Sequence, residues 1–149
     1  MARLLARYGI SLALLDDNAK IAGSYWGEPE AGIVGQSVIV RRDTPIHSLL
    51  HEACHIICMD TERRSGLDGD AGGDDLEECA VCYLQIVLAD RIAAVGRNRL
   101  MQDMDSWGYS FRLGSTRAWF ESDAEDAREW LLGNGLLTPA DNPVFVLRG

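Results

Sequence analysis

His51-Glu52-Ala53-Cys54-His55 sets two imidazoles four residues apart with a carboxylate directly after the first. On a helix, side chains at i and i+4 share a face, with Cβ atoms about 5–6 Å apart. That spacing lets two imidazole nitrogens grip one divalent ion, while Glu52 can reach a water on the ion's open side. The chemistry this implies is hydrolysis by an activated water, with Glu52 as general base. The motif needs a helix. Ile46 to Met59 contains neither Gly nor Pro, Pro45 suits a first helical position, and Thr44 is a candidate N-cap. The expected motif helix covers residues 45–59.

Such a site wants a third protein ligand and one open position. Glu77 and Glu78 open the next helical pattern. Glu77 heads an apolar stripe of Ala80, Val81, Leu84 and Leu88, which suits a face turned to the motif helix. Glu78 heads a wetter stripe with Gln85, and could complete a capping box with Asp75. The expected metal set is therefore His51, His55 and Glu77, with Glu78 the alternative. His47, Tyr109 and Arg112 are candidates to stabilise a developing oxyanion, although His47 also reads as a structural residue of the first helical turn.

The elements that must hold these residues are a small sheet and several helices. Residues 2–8 suggest a short opening helix. Ile10–Leu15 and Ile21–Trp26, separated by Asp-Asp-Asn-Ala-Lys, read as a β-hairpin. Ile33–Val40 reads as a third strand whose edge could pair with an extended peptide. Residues 60–74 are rich in Gly and Asp and read as loop. Asp68, Asp70, Gly73 and Asp74 imitate a calcium loop, but Gly72 and Cys79 stand where ligands are required. Leu76–Val95 reads as the longest helix, stopped by Gly96, and residues 97–106 as a further helix. Residues 107–114 read as loop or short strand and Thr116–Phe120 as helix. Ser122 with Glu125 suggests a capping box for a helix to Leu132. Residues 139–149 read as an extended tail able to dock through Val144–Leu147.

His51-Glu-x-x-His55 followed by Glu77-x-x-Ala80 resembles the gluzincin arrangement of HExxH and ExxA helices. Among gluzincins the chain is most similar to the ImmA/IrrE-type metallopeptidases and the minigluzincins. The likeness covers roughly residues 33–90, including the strand Ser37–Val40. Two residues depart from the pattern: Val81 follows the ExxA alanine where Asn or Asp is frequent, and HEACH replaces HELGH. The resemblance implies an α+β fold, Zn²⁺ and peptide-bond hydrolysis, with a peptide or protein as substrate.

Composition sets the outer bounds. A chain of 149 residues suits one domain, here residues 1–149, burying about 68–70% of its unfolded surface. A net charge of −9, with 14 basic against 23 acidic residues, argues against a nucleic-acid partner. No segment reads as a secretory signal or a membrane span, and Cys54, Cys58, Cys79 and Cys82 read as reduced thiols, so a cytoplasmic protein is expected. The expected fold class is α+β: a small N-terminal antiparallel or mixed sheet packed on the HExxH helix and a second Glu-bearing helix, with a mostly helical C-terminal part. Two other functional classes remain open. One is a non-catalytic, metal-stabilised regulatory or protein-interaction module. The other is a thiol sensor built on the four cysteines, whose first reading is packing between two helices.

Overall fold

The computed structural model describes residues 1–149 and is α+β, with seven helices and one three-stranded mixed sheet. In chain order the elements are α1 (Ala2–Ala6), β1 (Ser11–Leu14), β2 (Gly32–Val34), β3 (Ser37–Val40), α2 (Ile46–Cys58), α3 (Thr61–Ser65), α4 (Asp75–Ala89), α5 (Gly96–Trp107), α6 (Thr116–Ser122) and α7 (Glu125–Gly133). No helix is long and apolar enough to cross a membrane.

The sheet runs β1-β3-β2, with β3 in the centre, parallel to β1 and antiparallel to β2. Along β3, Val38 and Val40 are buried while Ser37 and Ile39 are half-buried, the two-residue alternation of a strand with one face on a core. β3 leads directly into α2, which rests on β2 and β3 and packs along α4. From Ala80 to Ala89 every residue of α4 is buried, because α2, α5 and α7 surround it. Cys54, Cys58 and Cys82 are buried free thiols within that core, and Cys79 is half-buried.

Several elements differ from their sequence expectation. Ile21–Trp26 forms turns, so the expected hairpin with residues 10–15 is absent; β1 pairs with β3 instead. Parallel strands need a crossover of a dozen or more residues, and residues 15–31 belong to that connection. Its course brings Gly23 and Gly32 together: a Cβ on Gly32 would sit 1.9 Å from the Ala22 carbonyl oxygen. Such close backbone approach leaves room for no other residue. The run 33–40 divides at Gly35-Gln36 into two strands, β2 and β3, joined as a hairpin.

The outer edge of β2 is already used. The Ile33 N–H donates to the Gly23 carbonyl, and the Gly69 N–H donates to the Ile33 carbonyl at 2.9 Å. The Gly35 N–H donates to the Leu67 carbonyl, and Val34 bridges Asp68. The expected peptide-pairing edge is thus occupied by the chain itself.

Residues 60–74 contain a helix, α3, capped by Asp60, whose carboxylate accepts the Arg63 N–H. The long helical pattern breaks at Asp90, not at Gly96. The Asp90 carboxylate accepts the Arg97 N–H and pairs with its guanidinium, closing the turn between α4 and α5. Thr44 does not cap α2; its hydroxyl accepts the Arg41 N–H, and Pro45 stands at the N-cap position. The expected Ser122–Glu125 capping box is absent too, since Ser122 ends α6 and Ala124 precedes α7. The tail docks: Phe145 meets Tyr8, and the Arg148 N–H donates to the Ile57 carbonyl.

Candidate metal centre

α2 presents His51 and His55 one turn apart, with their Nε2 atoms 3.1 Å from each other. The first turn of α4 faces them and contributes Glu78. One carboxylate oxygen of Glu78 lies 3.2 Å from His51 Nε2 and the other 3.4 Å from His55 Nε2. These three side chains form a group that could hold a metal ion, with ligand atoms all within 4.8 Å of one another.

Glu77, the expected third ligand, is elsewhere. Its buried carboxylate forms a two-oxygen pair with the Arg63 guanidinium and receives Arg148 Nη1 at 3.1 Å. Asp74 caps α4 by accepting the Glu77 N–H, so the capping box expected of Glu78 is not formed either. The physical reason for the exchange lies outside α4. α3 carries Arg63 to one side of the helix start and the tail carries Arg148, and together they claim the more deeply buried glutamate. Neither arginine is close in sequence, and only the glutamate adjacent to Gln85's face remains for the imidazoles.

The chemistry of this group fits a cation. His51 Nδ1 lies 2.7 Å from the Gln85 side-chain oxygen, which makes Nδ1 the protonated nitrogen and turns a lone pair on Nε2 toward Glu78. Two imidazole nitrogens at 3.1 Å, both against one carboxylate, need a shared positive charge between them. Burial disfavours the His51 imidazolium, yet the Cys82 sulfur and the Glu78 carboxylate outweigh it and raise its pKa well above the usual value. Burial, together with the charge on His51, lowers that of His55 to about 4. Burial also works against ionisation of Glu78, but its contact with His51 prevails and holds the carboxyl below the usual range. His55 Nδ1 is buried with no partner.

Glu52 is on the same turn of α2 and is 5% exposed. Burial raises its pKa to about 7. Two cavities meet at Glu52. One, of about 280 Å³, lies between Tyr25-Trp26 and the Gly69–Gly73 loop and reaches His51, His55 and Glu78. The other, of about 140 Å³, opens toward His47 and the aromatic residues Trp107 and Tyr109, and shares His51, Glu52 and Glu78.

Of the three oxyanion candidates, two reach the site. The Tyr109 ring centroid is 5.8 Å from that of His51, and its hydroxyl is 3.4 Å from His47 Nδ1. Burial pushes its pKa up to about 12, so the phenol remains a donor. Burial likewise lowers the pKa of His47. Arg112 does not take part; it pairs with Asp123 and lines a different cavity. Glu30, Trp26 and Trp107 were not legible as site residues. They approach through the irregular connection 15–31 and the end of α5, where no motif or period marks them. Comparison of the chain with protein-family models, curated proteins and solved structures found no match.

Proposed function

We propose that the protein is a zinc-dependent metallopeptidase of gluzincin type, with Glu78 in place of Glu77 as the third ligand. The observation that carries this reading is the His51–His55–Glu78 group with Glu52 beside it at the junction of two cavities. A structural metal site needs no neighbouring base, whereas a hydrolytic one does. A zinc ion held by these three residues would supply a Lewis acid and bring the pKa of the attacking water toward about 7.

The remaining work falls to the chain's own residues. Glu52 accepts a proton from the water as it attacks the peptide carbonyl, then passes that proton to the leaving nitrogen. Burial disfavours a lasting charge on Glu52, which suits a group that takes up a proton and then gives it away. The Tyr109 hydroxyl can donate to the oxyanion as it develops, which is the role left open for a second electrophile. Gln85 holds His51 in the tautomer that a metal ligand requires.

The test combines metal analysis of the purified chain with hydrolysis of a mixed peptide pool, with and without chelator. Chelator-sensitive cleavage and one zinc per chain are expected. Glu52→Gln should retain the metal and lose about 100-fold or more in kcat. Full activity in that variant would overturn the role of Glu52, and cleavage indifferent to chelation would overturn the metal mechanism.

A further inference from the structure

The smaller cavity carries more information about the substrate than the larger one. Trp26, Trp107, Tyr109 and His47 enclose it, together with Glu30 and Glu52, and no lysine or arginine lines it. The rings are steeply inclined to one another: Trp26 and Trp107 at 74° and 5.6 Å between centroids, Trp107 and Tyr109 at 61° and 5.5 Å. They form a box, not a stack.

Glu30 is 9% exposed, and one of its oxygens accepts the Trp107 indole N–H at 2.7 Å. Its other oxygen accepts no hydrogen bond. That oxygen stays accessible at the cavity wall, so a donor entering the cavity can pair with it. Aromatic faces and a carboxylate around one small space attract cations. An anionic guest would meet Glu30, Glu52 and Glu78 together, and a net charge of −9 adds a field of the same sign. A neutral apolar guest would leave Glu30 unpaired.

We propose that this cavity is a recognition subsite for a cationic group of the substrate, namely a lysine or arginine side chain next to the scissile bond. The proposal rests on the peptidase reading above and names the substrate class that reading leaves open. The N-terminal ammonium of a peptide has related chemistry, and the test separates the two.

The experiment uses the full chain reconstituted with zinc and N-acetylated, C-amidated peptides that differ at one position, lysine against norleucine or glutamate. At one position relative to the cleaved bond, lysine should raise kcat/KM about tenfold or more over norleucine, the factor expected of a partly desolvated cation–π contact. Glu30→Gln keeps an acceptor for the indole and should bring the ratio near one. Trp26→Ala should lower it as well, and Trp26 is 63% exposed, so its loss leaves the core intact. A binding measurement stands apart from activity: n-butylammonium should quench tryptophan fluorescence of the metal-free protein saturably, n-butanol should not, and Glu30→Gln should abolish the effect.

Cleavage with no lysine preference and no ammonium binding overturns the subsite while leaving the peptidase standing. A second arm uses norleucine peptides with an unblocked N-terminus, and a preference that follows that free ammonium overturns the side-chain assignment. Glu30-dependent ammonium binding without any peptide cleavage supports the cation site and overturns the peptidase reading.

Discussion

Successive residues of an α-helix point about 100° apart, so Glu77 and Glu78 cannot share a task. Glu78 meets the two imidazoles, and Glu77 meets Arg63 and Arg148. The roles separate in measurement. Glu78→Gln should weaken zinc binding by at least about 100-fold, more than the loss of an outer partner would cause. Without metal the variant should lose less thermal stability than Glu77→Gln, because the Glu78 side chain is 49% exposed and its pairing with His51 is screened. Glu77→Gln should do the reverse, leaving two guanidiniums without their carboxylate. Removing one partner of a buried pair costs about 3–5 kcal/mol. Here the arginine side chains are 33% and 28% exposed, so solvent screening reduces this to about 2 kcal/mol. That loss should appear as a Tm lower by about 4–8 °C. Loss of zinc from the Glu77 variant at unchanged Tm would reverse the assignment. Gln85→Leu should weaken zinc binding about 10–100-fold by freeing the His51 ring, read by competition with a chromophoric chelator.

The short helix α3 closes the end of the motif helix. Arg64 is 9% exposed and donates from Nε to the Ile56 carbonyl and from Nη2 to the carbonyls of Met59 and Arg148. The bonds to Ile56 and Met59 satisfy carbonyls that the end of α2 leaves unpaired, and the bond to Arg148 ties the tail to it. Arg64→Met should destabilise the fold by about 2–3 kcal/mol, the range for hydrogen bonds to a charged group, measured by urea unfolding. A midpoint unchanged from the parent protein would remove Arg64 from this role.

α2 was legible because its pattern is local: apolar spacing, Pro45 at the start and no breaker before Met59. The pair His51 and His55 followed from that helix alone. The glutamate that joins them did not, since Arg63 and Arg148, 14 and 71 residues from Glu77, decide which glutamate is free. The same holds for Ile21–Trp26. Its apolar content resembles a strand, but Gly23 against Gly32 and the Ile21 N–H on the Glu28 carboxylate fold it into turns. Tyr25 and Trp26 are consequently left at the cleft, 61% and 63% exposed. Asp90 ended α4 early by a side-chain contact seven residues ahead, which apolar periodicity does not report.

Across the whole molecule, the sheet, the two site helices and the tail converge on one place. Arg148 donates its backbone N–H to Ile57 and its guanidinium to Cys58 and Glu77, while Arg64 returns a bond to its carbonyl. Residues near 148 therefore tie the last turn of α2 to the first turn of α4, which are also the turns nearest the imidazole pair and Glu78. Coupling of this kind is reciprocal. If zinc fastens α2 to α4 from one side, it must also quiet the strand of chain stitched across them from the other. Deuterium uptake at the amides of residues 145–148 should slow when the ion is added, and Arg148→Ala should erase that slowing. The consequence is that the tail reports on the centre without touching it: its backbone exchange becomes a gauge of metal occupancy.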